Sequence, residues 1–252
     1  MSEKEVKFSV PFDVIELPSK GLLYKECGET IKVEYMTAED ENILTSPNLL
    51  QSGKVLDVLL ERKIKQKGIT AKNLLVGDRN AIMVFLRATA YGEMYPVKLT
   101  DPTTGEEFET EIDLNELKVK EIGADPDENG YFSFELKRSK KTIKFRLLTA
   151  KDEEDLILGE EKRQKVLKNE VSKLLTSRLT TQIMEVGGET NKGYIEQFVQ
   201  YMPAGDSLEL RKYMDDIEPG IDLRVDVEAP SGAGFRSLVP ITVRFFWPNV
   251  EL

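Results

Sequence analysis

The feature that most constrains the fold of this chain is an internal repeat. Residues 31–41 align without gaps on residues 143–153, and both stretches alternate apolar and polar residues before a Thr-Ala pair and an acidic run. This pattern predicts a strand, a threonine N-cap and a helix with a negatively charged first turn. Two further landmarks recur in the same order, a Gly-Asp helix start at 77–78 and 205–206 and a hairpin turn at Gly105 and Gly234. The shared order favours duplication; the alternative is that similar caps arose independently.

The repeat predicts an α+β fold built from two diverged copies of a strand–helix–helix–β-hairpin unit. Periodicity weakens over residues 118–130, which include Gly123 and Pro126. Weak patterning with turn-forming residues is typical of a domain boundary. We therefore predict an N-terminal α+β repeat over residues 1–122 and a C-terminal one over residues 123–252.

Hydrophobic spacing predicts the individual elements of the two copies. The predicted strands lie at 14–17 and 31–35, the predicted hairpins at 97–112 and 132–147, and the predicted helices at 37–44, 55–64, 78–92 and 206–214, with a further helix that starts after Thr149 and continues through 159–174. This continuation has a face rich in charged residues that we expect to be solvated.

Composition excludes several classes of function. The formal charge of −10 has the wrong sign for a protein whose main task is to hold nucleic acid. The chain contains no histidine, which excludes Ser-His-Asp and Cys-His catalysis. A zinc site would need mainly carboxylate ligands, which is rare. Cys27 is the only cysteine, so no internal disulfide can form. We therefore predict no catalytic residue, no metal, no cofactor and no nucleic-acid partner.

The distribution of apolar residues predicts a soluble protein. No apolar run approaches the roughly eighteen residues that cross a bilayer, and the charged start of the chain is not followed by the apolar core of a signal peptide. We expect no membrane partner and a cytoplasmic location.

Two acidic motifs suggest chemistry but have simpler interpretations. Residues 125–130 match the opening of a calcium-binding loop, yet Leu136 occupies the twelfth position, where that loop needs a glutamate. An Asx-rich turn is the favoured interpretation. Residues 152–155 form a run of four carboxylates, but they directly follow the predicted cap Thr149, where acidic residues stabilise the helix dipole.

The C-terminal aromatic segment 245–248 is the candidate partner-binding site. If the segment is a strand, Phe245 and Phe246 point to opposite faces and cannot both enter one core. Pro248 discourages further sheet pairing. We therefore predict that Phe246 and Trp247 contribute to an interface, because exposed aromatic residues often anchor partners. Packing of these rings in the core is the alternative.

Together, these residues resemble the T4-type base plate hub proteins of contractile bacteriophage tails, often described as hub assembly chaperones. The resemblance spans nearly the whole chain and rests on the motifs at 17–24, 36–38, 77–80, 90–92, 205–211 and 245–248. It implies a non-enzymatic protein that binds other base plate hub or tail proteins.

The resemblance also concerns the two hairpin turns. Similar proteins often carry Cys-x-x-Cys-Gly at these places, which suggests a small zinc ribbon. Here residues 102–105 and 230–234 contain no cysteine. Zinc is therefore not expected in this chain.

Two functional alternatives remain open. The resemblance implies action in the host cytoplasm during assembly, or alternatively a permanent structural place in the virion tail base plate. From another class, a hydrolase that uses carboxylates and Mg²⁺ or Ca²⁺ would require acidic residues converging from different elements.

Overall fold

The computed structural model describes residues 9–25, 27–167 and 171–246. Helices and small antiparallel sheets of two or three strands make up the described fold, which confirms the predicted α+β class. None of the described helices combines the length and apolar character that spanning a membrane requires.

The first half of the chain contains two hairpins separated by four helices. Its elements are β1 (Phe12–Glu16), β2 (Thr30–Glu34), α1 (Ala38–Leu44), α2 (Pro47–Ser52), α3 (Val55–Lys63), α4 (Val76–Tyr91), β3 (Met94–Thr100) and β4 (Glu107–Asp113). β1 pairs with β2 and β3 with β4.

The second half has a comparable order of elements, with three additional strands and one additional helix among the described residues. Its elements are β5 (Val119–Lys120), β6 (Phe132–Glu135), β7 (Thr142–Phe145), α5 (Ala150–Val166), α6 (Leu174–Gln182), β8 (Ile183–Val186), α7 (Lys192–Tyr201), α8 (Ala204–Ile217), β9 (Gly220–Ile221), β10 (Arg224–Glu228), β11 (Gly234–Leu238) and α9 (Val243–Phe246). The helix predicted to start after Thr149 with an acidic first turn is α5, and only its end differs, because α5 ends at Val166 and not near residue 174.

Both predicted strand-to-helix junctions form capping boxes. The backbone N–H of Thr37 donates to Asp40 Oδ2 at 2.7 Å, and that of Thr149 donates to Asp152 Oδ2 at 2.9 Å. A basic side chain then neutralises each acid: Lys63 Nζ lies 2.5 Å from Asp40, and Arg146 binds Asp152 through two contacts. The acidic residues after each threonine are therefore structural.

The Asp152 junction predicts a measurable pH dependence. Burial disfavours ionisation of Asp152, but hydrogen bonds from Arg146 and from the Thr149 backbone and hydroxyl outweigh it and lower the pKa from 3.8 to about 2. A lowered folded-state pKa stabilises the fold above the unfolded value, and this contribution is lost as the pH falls. Between pH 4 and pH 2 we expect the free energy of unfolding to fall more steeply for the wild type than for Asp152→Asn, measured by urea denaturation.

Asp155→Asn is the matched control for this experiment because it removes an exposed carboxylate from the same helix. Its pH dependence should follow that of the wild type. If the free energy of unfolding depends on pH in the same way for the wild type and for Asp152→Asn, the lowered pKa of Asp152 is contradicted.

Serine–aspartate contacts tie the first hairpin of each half to a later helix. Ser19 donates from its backbone N–H and its hydroxyl to Asp78 in α4. Ser139 makes the same two contacts with Asp206 in α8. The residue after each serine, Lys20 or Lys140, has a positive φ of 53° or 55°. These parallels agree with the two-copy interpretation, which stays a prediction.

The fold has two hydrophobic cores, and segments cross between the halves. Val239, Phe245 and Phe246 belong to the first core, whereas Leu75 belongs to the second. β5 pairs with β9, which joins the predicted boundary segment to the second half. Residues of each half therefore pack in the core of the other half. The predicted domain boundary between residues 122 and 123 stays a prediction.

Candidate interaction surface

Large apolar side chains are exposed at the end of α5 and the start of α6. Only Ala150 is buried among the seventeen residues of α5, and more than half of the others are exposed. Beyond it, Val171 is 87% exposed, and Leu174 and Leu175 are 40% and 46% exposed. Because apolar side chains gain from removal from water, this exposure is typical of a binding surface.

Leu174 and Leu175 border an open groove between α6 and α8. The volume of the groove is about 560 Å³. We call it the α6–α8 groove, and its lining residues are Ser172, Leu174, Leu175, Arg178, Leu179, Gln182, Arg211, Met214, Asp215 and Glu218. It can accept an apolar segment of a polypeptide.

The groove follows from the spacing of apolar residues on the two helices. On α8, Leu210, Met214 and Ile217 recur at helical spacing and are buried in the second core. On α6, Leu179 is buried in the same core, while Leu174 and Leu175 lie one turn earlier and extend past its edge. The floor of the groove is therefore the margin of the second core.

Charged groups surround this apolar floor. Arg178 pairs with Glu153 of α5 at 2.8 Å, and Arg211 Nε donates to the Ser207 carbonyl. Burial raises the pKa of Glu218 above its ordinary value. An apolar centre with a polar rim is the usual anatomy of a protein interface.

The sequence-predicted partner site lies elsewhere, and its geometric premise was wrong. Phe245 and Phe246 belong to helix α9 and not to a strand, and both rings are fully buried. The rings meet edge to face with centroids 5.5 Å apart, and Arg87 Nε donates to the Phe245 carbonyl at 2.9 Å. Burial favours the core alternative for Phe246. Trp247 lies outside the described residues, and an interface role for Phe246 and Trp247 stays a prediction.

The sequence analysis missed the α6–α8 groove because it interpreted Leu174 as the last residue of the buried apolar face of a helix. The available signal was the high number of large apolar residues in a strongly charged stretch, since nine positions contain Leu167, Val171, Leu174 and Leu175. Such density is unusual for a helix with a solvated face.

The two acidic motifs have structural roles. Asp127 Oδ1 accepts hydrogen bonds from the backbone N–H groups of Asn129 and Tyr131, and Gly130 has a φ of 78°, as expected for an Asx-rich turn. In the other run, Asp152 caps α5 and Glu153 binds Arg178. Over the described ranges, no group of three or more His, Cys, Asp or Glu side chains is placed to hold a metal ion.

The tips of the β3–β4 and β10–β11 hairpins meet through hydrogen bonds. Ser231 donates its backbone N–H and its hydroxyl to the Asp101 carboxylate, at 3.2 and 3.0 Å. Phe108 and Phe235 pack edge to face between the same hairpins. A serine and an aspartate therefore join the two hairpin turns.

The fold and its surface define the class of protein: an α+β protein with two cores and an open apolar groove. Residues 11–131 match the family model of the T4 bacteriophage base plate protein. The matched region is somewhat under half of the 252 residues, and over it the chain is similar to that family. No curated protein and no solved structure matches the chain.

The match stops at residue 131, so α5, α6 and α8 lie outside it.

Proposed function

We propose that the protein is a non-enzymatic base plate hub protein or hub assembly chaperone of a contractile phage tail. It acts by binding other base plate hub or tail proteins. The family match supports the base plate, and the α6–α8 groove carries the proposal of protein binding, because a monomer gains nothing from leaving Leu174 and Leu175 in water.

The groove suits a short apolar segment of a partner. Leu179 and Met214 form a floor that is already buried and ordered in the second core, so little conformational entropy is lost there on binding. Leu174 and Leu175 then become covered, and Arg178 and Arg211 border the contact. The assembly role does not require any side chain to change its protonation state.

Polar substitution in the groove tests the proposal. We expect Leu174→Asp/Leu175→Asp to weaken binding to co-expressed hub proteins of the same phage by at least about tenfold, or about 1.4 kcal/mol. The physical reason is that the double variant removes the apolar side chains that become covered and places in the contact two carboxylates that must lose their water on binding. Binding is measured by isothermal titration calorimetry, and assembly by complementation of a phage that lacks the gene.

Leu208→Asp is the matched control, because Leu208 is 46% exposed on α8, as exposed as Leu175, but does not line the groove. It should bind and complement normally. The melting temperature of all variants should stay near that of the wild type. Normal binding and assembly by a folded double variant would overturn the groove proposal.

The same complementation distinguishes a transient chaperone from a permanent component. A chaperone is absent from purified virions that have assembled normally, whereas a hub component is present at fixed stoichiometry. Quantitative mass spectrometry of purified particles makes this measurement.

A further inference from the structure

Gln182 is the residue of the α6–α8 groove whose polar group the fold itself does not use. It is the last residue of α6 and is only 5% exposed. The other buried polar or charged side chains in the described ranges all have hydrogen-bond partners there, as Asp78 has in Ser19. The side-chain amide of Gln182 forms no hydrogen bond with a described residue. Because buried polar groups are nearly always paired, this amide indicates a ligand.

The position of Gln182 is fixed by the chain on both sides of it. The Gln182 carbonyl accepts a hydrogen bond from the Arg146 N–H at 2.9 Å, and the next residue begins β8. Gln182 lines the groove three residues after Leu179, which is about one turn along α6. The amide therefore belongs to one end of an apolar floor, and little further ordering is needed when a ligand binds.

A ligand with apolar groups alone fits this groove poorly. It would cover Leu174 and Leu175, but it would also remove water from the Gln182 amide without replacing the hydrogen bonds. Leaving a buried donor or acceptor unpaired opposes binding. A glutamine amide has both an acceptor oxygen and donor hydrogens, so the occupant must present a donor and an acceptor to it.

The main chain of an extended polypeptide meets this requirement. In an antiparallel ladder a residue directs its own N–H and C=O toward the same neighbour, and a glutamine amide can pair with both. An α-helix uses these groups for its internal hydrogen bonds. From Leu174 to Gln182 helix α6 rises about 12 Å. About four residues of an extended chain span that distance.

Charge does not decide which segment fits. The rim contains two basic and two acidic residues, namely Arg178, Arg211, Asp215 and Glu218. Arg178 is in addition paired with Glu153 of α5. The Gln182 amide and the apolar floor therefore determine the occupant.

We infer that the occupant of the α6–α8 groove is an extended segment of another base plate protein. One of its residues pairs its main-chain N–H and C=O with the Gln182 amide, and an apolar side chain about three residues away covers Leu174 and Leu175. Main-chain pairing gives affinity for an extended chain, and the leucines select the apolar side chain. This inference rests on the proposed function, because it names the kind of segment that the same groove binds.

Gln182→Met tests the role of the amide, because methionine is also an unbranched side chain but has neither the donor nor the acceptor. We expect the dissociation constant for a purified hub protein of the same phage that the wild type binds to rise at least about tenfold, measured by isothermal titration calorimetry. The melting temperature should not fall, since the amide has no partner in the described fold. Gln200→Met is the matched control, because Gln200 is exposed on α7 and does not line the groove. It should leave both quantities unchanged.

Synthetic peptides of the same hub protein test for an extended main chain. Among overlapping peptides of about twelve residues, three times the span of the groove, at least one should bind the wild type and not Leu174→Asp/Leu175→Asp. N-methylation at one residue of that peptide removes a single N–H donor. It should weaken binding to the wild type at least about tenfold and binding to Gln182→Met less than about twofold. Far-UV circular dichroism should show no gain of helix on binding.

The outcomes separate this inference from the proposed function. If Leu174→Asp/Leu175→Asp loses binding but Gln182→Met binds as the wild type does, the inference is overturned and the proposed function stands. A lower melting temperature of Gln182→Met overturns the inference as well, because the amide would then stabilise the fold. A helical bound peptide, N-methylation that affects both proteins equally, or the absence of any peptide that binds also overturns it. A wild type that binds no hub protein contradicts the proposed function itself.

Discussion

Replacing Gly77 by alanine is expected to cost more than about 4 kcal/mol of folding free energy, a loss reached only when a structure cannot adapt to the change. A β-carbon at Gly77 would lie 1.8 Å from the Pro219 carbonyl oxygen and 2.7 Å from the Gly220 Cα. Both atoms are backbone, so no side chain can rotate away to relieve the overlap. Urea denaturation followed by circular dichroism measures the loss.

The position of Gly77 explains why relief is difficult. Asp78, the next residue, is buried and accepts hydrogen bonds from the Ser19 N–H at 3.0 Å, the Ser19 hydroxyl at 2.6 Å and the Tyr24 hydroxyl at 2.7 Å. Burial raises the pKa of Asp78 even though these bonds favour its charged form. Moving the start of α4 away from Pro219 would break these contacts.

Gly159→Ala is the matched control, since Gly159 is also helical but has open space around it. It should raise the free energy of unfolding by up to about 1 kcal/mol through helix propensity. Wild-type stability of Gly77→Ala would contradict the close approach of α4 to β9.

Replacing Phe246 by alanine is expected to lower the free energy of unfolding by about 3–5 kcal/mol, the usual cost of emptying a large buried aromatic site. Phe246 is fully buried and packs on Phe245, whose ring also contacts Tyr95 with centroids 5.0 Å apart. The cavity would open between α9 and α4, elements that come from different halves of the chain. Thermal and urea unfolding measure the effect.

Phe12→Ala provides the matched control, because Phe12 is 47% exposed and rests beside Lys32 on β2. Phe12→Ala should lower the free energy of unfolding much less than Phe246→Ala does. The comparison also tests the interface prediction: a Phe246→Ala protein with wild-type stability and lost hub assembly would support a partner-binding role and contradict the core role.

Local elements were predictable because residues a few positions apart specify them. Thr37 and Thr149 cap their helices with an aspartate three residues later, and the turn at Gly105 closes a hairpin with a φ of 75°. Segment α7 and strand β8 were not predicted, because residues 183–201 have short, mixed patterns that a single sequence does not resolve.

Burial was less predictable, since it depends on what covers a helix and not on the helix itself. Val55 and Leu174 both begin a nine-residue helix after a lysine, yet Val55 is 1% exposed and Leu174 is 40% exposed. Two short helices, α1 and α2, pack beside α3, whereas the single long helix α5 leaves the start of α6 open. The sequences of α3 and α6 alone do not show which of the two helices is covered by its neighbours.

The sequence by itself therefore determined the caps, the hairpins and the α+β class, because hydrogen bonds between near neighbours specify them. Only the tertiary structure decided which apolar residues are buried and which are exposed. Phe246 is buried because it packs in the first core, most of whose residues come from the first half of the chain, and Arg87, 158 residues before Phe245, donates a hydrogen bond to the Phe245 carbonyl. Leu174 and Leu175 stay exposed because no described element covers them, and burial is set by contacts between segments that are distant in the chain.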